Sequence, residues 1–201
     1  PQMVGAVPVV QAYAYSKYMG HLVLEFDAAG NVTAASGDTI LLDASVTPDP
    51  AVAARVAELA GPIEALKARV VAEAAADIDG GRETCRIGEC AMGTLVADAM
   101  LARVQDQGIS IAIQNGGGLR ASIAAGEVTM GDVLSVLPFQ NTLSTFEATG
   151  ATVLAALENG LSQIDDGAGR FPQVAGMRYV FDPAADAGAR VVSAEVMEGG
   201  T

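Results

Sequence analysis

The run Ile109-Ser-Ile-Ala-Ile-Gln-Asn-Gly-Gly-Gly-Leu-Arg120 constrains this chain more than any other stretch. Ile109, Ile111 and Ile113 alternate with small residues, the pattern of a short, mostly buried strand. Asn115 and the triplet Gly116-Gly117-Gly118 stop it abruptly. Three successive glycines cost backbone entropy, so they imply a tight bend or something lying close against the main chain. Arg120 follows within reach of that bend. Backbone N–H groups and a guanidinium at a strand end can hold an anion or a polar ligand. An ordinary glycine turn with an exposed arginine fits these residues equally well.

The 201 residues give room for one ordinary domain, or one and a piece of another. No run reaches the 18 or so apolar residues that a membrane span needs. Residues 1–10 lack a basic segment and do not read as a signal peptide, while a start at Pro1 is consistent with processing or excision. A net charge of −13 argues against nucleic-acid polymers as partners. It leaves room for a small phosphorylated ligand held by locally placed arginines. Cys85 and Cys90 stand in a Cys-x4-Cys spacing, and the single histidine, His21, is remote in sequence. That is too few ligands for zinc. A local disulfide, which favours an oxidising compartment, is the better reading; two free buried thiols are the alternative.

Taken in order, residues 9–44 read as β structure, with His21–Phe26 alternating, a turn at Asp27–Asn31 and a return over Val32–Leu42. One hairpin buries too little surface to stand alone, so its sheet is expected to have further strands outside this sequence. Thr47-Pro48-Asp49-Pro50 marks a boundary, with Asp49 as N-cap and Pro50 at the first helical position. Val52, Val56, Leu59, Ile63, Leu66 and Val70 then form one apolar stripe on a helix of about six turns, kinked at Gly61-Pro62. Gly80-Gly81 opens a new unit. Ala91–Gln107 reads as a helix with Met92, Leu95, Val96, Ala99, Met100 and Val104 inward and Gly108 as its stop. Thr129–Asp132 is a capping box for a short helix through Leu137. Leu143–Ala148 reads as a strand, Gly150–Leu161 as a helix, and Met177–Phe181 and Val191–Met197 as two strands joined at Asp182-Pro183. Mixed strands and helices from residue 81 onward make this unit α/β or α+β, with helices flanking its sheets. The sequence breaks off at Gly199-Gly200-Thr201, after a strand.

Together these stretches resemble the C-terminal domain of the 5′-nucleotidases, two-domain metallophosphatases of the periplasm and cell surface. Cys85-Arg-Ile-Gly-Glu-Cys90 followed by Ala-Met-Gly-Thr-Leu-Val-Ala-Asp-Ala-Met100 is like the family's arginine segment and "MGNL…DAM" helix. Gln114–Arg120 is like "NGGGIR", Gly126–Leu134 like "GxITxxDVL", Leu137–Asn141 like "PFGN", and Gly169–Gly176 like "FxQVSG". Val9–Gly20 looks like the tail of the metallophosphatase domain. The resemblance implies three regions: the last strands of an incomplete metallophosphatase domain (1–46), an interdomain linker helix (47–80) and a substrate-binding domain lacking its C-terminal part (81–201). Pro48, Gly61, Pro62 and Gly80-Gly81 would be its flexible points.

Carried over by motif, Arg86, Asn115, Gly117, Arg120, Phe139 and Asn141 match nucleotide-binding positions of the family. Phe139 would stack on the base, Asn115 would bond a base edge or ribose, and the two arginines would meet ribose or phosphate. A second aromatic, from a later "NFxxxGGDG" segment, is not in this sequence. The resemblance also implies that a Cys85–Cys90 disulfide fixes Arg86. The family's two divalent ions, such as Zn, Mn or Mg, are held by "DxHG", "GNHE" and "GHxH" motifs. None of these is present, so no catalytic or metal-binding residue is expected here, and His21 reads as structural or exposed. The implied function is the nucleoside-binding part of a periplasmic or extracellular 5′-nucleotidase, inactive without its dimetal domain. A 2′,3′-cyclic-nucleotide phosphodiesterase, a nucleotide-sugar hydrolase of the same superfamily and a non-catalytic nucleotide-binding module are the alternatives.

Overall fold

A computed structural model describes residues 2–5 and 7–197. The chain divides into two units, residues 1–60 and 61–201. In the first, β1 (Gln2–Val4) pairs antiparallel with β2 (Val7–Val9), and β3 (Tyr18–Phe26) pairs antiparallel with β4 (Val32–Leu41). The β3–β4 turn is shaped by Asp27, whose carboxylate accepts from the amides of Ala29 and Asn31, both at 2.9 Å. No described residue of this unit is buried. His21 is exposed in β3, opposite Asp38.

Helix α1 (Pro50–Lys67) starts where its cap predicts: Asp49 Oδ1 accepts from Ala51 N at 2.9 Å and Val52 N at 3.0 Å. It runs through Gly61-Pro62 and ends at Lys67, a turn earlier than the apolar stripe implies. Val70 and Val71 instead enter a strand, β5 (Val70–Ala74), where β-branched residues are favoured. The stripe residues Val52, Val56, Leu59, Ile63 and Leu66 are all exposed.

The second unit continues with α2 (Arg82–Cys85), α3 (Ala91–Val104), β6 (Ala112–Asn115), β7 (Gly126–Thr129) and α4 (Met130–Val136). It closes with α5 (Gly150–Leu161), β8 (Pro172–Ala175), β9 (Met177–Phe181) and β10 (Val191–Val196). Its strands form antiparallel pairs β5–β7, β6–β8 and β9–β10 among the helices, the α/β mixture expected. The capping box is formed: Thr129 Oγ1 accepts from Asp132 N at 3.2 Å, and Asp132 Oδ2 accepts from Thr129 N at 2.8 Å. The end at Gly199-Gly200-Thr201 lies outside the described residues.

Three expectations need correction. Helix α3 buries Met92, Gly93, Val96, Ala97 and Val104, while Leu95 and Ala99 face solvent. Its small residues let strand β6 approach closely, so Ala97, Ala112 and Ala175 form a tight cluster. The strand parity is accordingly inverted: Ala112 is buried and Ile113 is exposed. Leu143–Ala148 forms no strand, because it finds no ladder partner among the described residues, and every side chain there is exposed. Strand β8, unanticipated, lies inside the run resembling "FxQVSG".

The larger core cluster joins Cys85, Cys90, Met92, Val96, Leu119, Ile123, Val128 and Val136. A second gathers Leu161, Ile164 and Phe171, with Tyr179, Phe181 and Val191 packed against it. Buried Arg190 ties that region together. It donates to the carbonyls of Leu161 (2.7 Å) and Ala185 (2.9 Å) and pairs with Asp165 at 2.5 Å. Truncating a fully buried leucine removes contacts and leaves a void. Leu157→Ala is therefore expected to cost about 2–5 kcal/mol in urea unfolding, whereas Leu154→Ala, at an exposed position, shifts stability by about 0.5 kcal/mol or less.

Candidate functional site

The glycine bend after β6 is a 3₁₀ turn over Gly116–Gly118, and it is pressed between two other segments. A Cβ on Gly116 would collide with the Cys85 carbonyl, and one on Gly117 would lie 2.8 Å from the Gly169 carbonyl. Two amides of the bend are used rather than left free. Gly116 N donates to Phe171 O at 2.8 Å, and Gly117 N donates to Gly169 O at 2.9 Å. The triplet is thus a place of close main-chain approach, one of the two readings that the sequence left open.

Arg86 sits between Cys85 and Cys90, which form a disulfide. Cys90 also caps α3, its sulfur accepting from Gly93 N at 3.3 Å. The partly buried Arg86 guanidinium donates through Nη1 to Gly167 O at 3.2 Å and lies against Gly169, with Cζ 3.4 Å from where a Cβ there would be. Gly169 has φ +84°, a conformation that glycine adopts without strain. Arg86 Nε is buried without a hydrogen-bond partner among the described residues. Desolvation pushes its pKa down, and the charges of Arg82 and Arg120 push it the same way.

Arg120 reaches the same region by another route. Its amide donates to the carbonyl of Val136, the last residue of α4, at 3.0 Å. Leu137-Pro138 ends that helix and delivers Phe139, a residue that is 56% exposed. The Arg120 guanidinium lies over that ring, 5.6 Å from its centroid. Gln140 follows with φ +53°, a left-handed conformation at the position where the resembling motif has glycine. Asn115 donates through Nδ2 to Gly169 O at 3.1 Å, and Asn141 is exposed.

Arg86, Asn115 and Gly117 therefore share contacts with the Gly167–Gly169 segment, and Arg120 shares a face with Phe139. Among the described residues no hydrogen bond joins the Asn141 side chain to this group. Sequence reasoning missed Arg82, the carbonyls of Gly167 and Gly169, and buried Gln173. A glutamine inside the apolar run Phe171-Pro-Gln-Val-Ala175 was the available signal. A hollow of about 830 Å³ lies elsewhere, lined by Glu89, Asp98, Phe171 and Tyr179 among others and by none of the six predicted residues. Its two carboxylates outnumber its one arginine, Arg178, which is paired with Glu195, so the arginine region is the better candidate for a phosphorylated ligand. Among the described residues no three His, Cys, Asp or Glu side chains converge as a metal centre requires. The pair of divalent ions implied by the resemblance thus does not fit the residues present here. No helix among the described residues is long and apolar enough to cross a membrane.

A mixed α/β domain with a braced glycine bend and an exposed aromatic ring is the class that these elements define. The chain belongs to the 5′-nucleotidase family: the model of the 5′-nucleotidase C-terminal domain matches residues 70–201. It is 35% identical to the human 5′-nucleotidase over 95% of its own length and 35% of that protein's. It is 38% identical to the trifunctional nucleotide phosphoesterase YfkN of Bacillus subtilis, covering 94% of this chain and 13% of the relative. Among solved structures, the 5′-nucleotidase precursor of Thermus thermophilus superposes with a TM-score of 0.69 at 44% identity, over 95% of this chain and 38% of that one. The chain thus spans little more than a third of the human and Thermus relatives it matches.

The disulfide is directly testable. Thiol titration of unreduced, denatured protein is expected to find no reactive cysteine and, after reduction, both Cys85 and Cys90.

Proposed function

We propose that this chain supplies the nucleoside-gripping part of a 5′-nucleotidase that cleaves nucleotides to nucleosides and phosphate. The two-metal chemistry then resides on polypeptide outside these residues, in a metallophosphatase domain whose last strands are residues 1–46, joined by the linker at 47–80 to the binding domain at 81–201. The observation that carries the reading is electrostatic. In a chain with 24 acids and 11 bases, Arg82, Arg86 and Arg120 form no ion pair among the described residues. Holding like charges together, with only the weak opposing influence of Glu83 on Arg86, costs free energy, which an anionic ligand would offset.

In this reading Phe139 offers its exposed face to the base, and Arg120, already on that ring, orients it. Asn115 and Asn141 bond the base edge or ribose, Gly117 lets the ligand approach the main chain, and Arg86 meets ribose or phosphate. The protein works in the periplasm or outside the cell. The Cys85–Cys90 disulfide supports that placement, as do relatives such as the snake venom 5′-nucleotidase of Naja atra. A broader nucleotide phosphoesterase activity is the second reading, favoured by the likeness to YfkN; assays with cyclic nucleotides and nucleotide sugars separate the two.

Loss of a base–aromatic stack costs about 1–3 kcal/mol, or roughly 5- to 150-fold in affinity. Phe139→Ala in the full-length protein is expected to raise KM for adenosine 5′-monophosphate in that range, with kcat little changed. An unchanged KM removes Phe139 from the site.

A further inference from the structure

Gln173 is the most deeply buried polar side chain described, 1% exposed, and it points at the loop that carries Arg86. Its Nε2 donates to the carbonyls of Cys85 at 3.0 Å and Gly88 at 2.8 Å, while its Oε1 accepts from Cys90 N at 3.2 Å. Two carbonyls and one N–H fix the orientation of the carboxamide, because the flipped amide would oppose like groups at every contact. The three partners lie on both sides of Arg86 and at both ends of the disulfide. The disulfide closes this loop covalently, and the carboxamide fills its interior.

The same strand pair that buries Gln173 also places the glycine bend. In the β6–β8 ladder Gln173 lies opposite Gln114, and Pro172 lies opposite Asn115. The run Gly167–Gln173 therefore touches four parts of the candidate region: Arg86 through Gly167, Asn115 and Gly117 through Gly169, Gly116 through Phe171, and the disulfide loop through Gln173. Gly93 on α3 completes the enclosure, since a Cβ there would overlap the Gln173 side chain.

We propose that Gln173 is a positioning residue for Arg86: it sets the height of the disulfide loop above β8, and so the place of the guanidinium beside Asn115 and Gly117. It touches no ligand. This rests on the nucleoside-binding reading above and adds to it a residue that determines substrate affinity from beneath the site. A neutral amide suits the task. It satisfies three main-chain groups away from water without bringing a charge that would neutralise Arg86.

The test uses the full-length protein and hydrolysis of adenosine 5′-monophosphate. Arg86→Ala sets the reference and is expected to raise KM at least tenfold. Gln173→Met preserves the side-chain length and removes all three hydrogen bonds. It is expected to raise KM about five- to tenfold with kcat within twofold, and the double variant is expected to be no worse than Arg86→Ala alone. A residue that only held the fold together would multiply its effect with that of Arg86→Ala. That outcome, or a normal KM in folded Gln173→Met, overturns the positioning role. If Arg86→Ala itself leaves KM unchanged, the nucleoside-binding reading fails first and this role falls with it. Should Gln173→Met not fold, Gly93→Ala, which pushes the carboxamide out of its seat, is expected to reproduce the KM rise, and a normal KM there overturns the proposal.

Discussion

The candidate site depends on main chains that approach more closely than any side chain would allow. Gly116 lies against the Cys85 carbonyl, Gly117 against Gly169, and Gly93 against the Gln173 side chain. Gly169 combines a left-handed backbone with contact to the Arg86 guanidinium. At each point a Cβ would force segments apart. Separating Gly116 from Cys85 would lift the disulfide loop, and the loop carries Arg86. The entropic cost of three consecutive glycines is thus the cost of bringing loop, bend and β8 to one place.

Charge follows from that geometry. Elsewhere in the chain three arginines are matched with acids, Arg55 with Glu58, Arg178 with Glu195, and Arg190 with Asp165, while Arg69, Arg103 and Arg170 form no ion pair among the described residues. At the bend unpaired arginines lie near enough to act on one another. Arg82 and Arg120 both depress the pKa of Arg86, and the opposing effect of Glu83 is the smallest of the influences on it. The overall charge of −13 does not erase this local excess, because screening at physiological salt confines exposed charges to about 8 Å. An acidic protein can therefore present a small basic face.

What could be read from the sequence depended on whether a signal was local. Asp49-Pro50, Thr129–Asp132 and the Gly150–Leu161 periodicity each contain their own structural cause, and each formed as expected. The identity of the second unit as mixed α/β was legible for the same reason. Signals that depend on a partner were misread. Ile109, Ile111 and Ile113 looked like a buried face, but the small residues of α3 decide which face of β6 is covered. Val70 extended a helical stripe on paper and went instead to the ladder offered by Thr129. Leu143–Ala148 has strand composition and no partner strand among the described residues. At the site, Arg86 and Phe139 were visible only through the resemblance to the family's motifs, and Arg120 also through its place after the glycine triplet. Gln173 was not, because a buried amide announces itself only through what surrounds it.

That last point bears on how an arginine can be held for a ligand. Fixing a guanidinium with a carboxylate is strong, but it spends the charge that is to be offered. The loop around Arg86 is held otherwise: by a covalent bridge, by a neutral carboxamide and by the carbonyl of Gly167. Carbonyls and amides restrain position and leave the net charge intact. Arg120 obeys the same rule, resting on the Gly117 carbonyl and the face of Phe139 rather than on an acid. Neither guanidinium is held by an acid: Arg86 rests on the Gly167 carbonyl and Arg120 on the Gly117 carbonyl. The mechanical part of the fold and the electrostatic part are therefore one arrangement, and a substitution that loosens the first weakens the second.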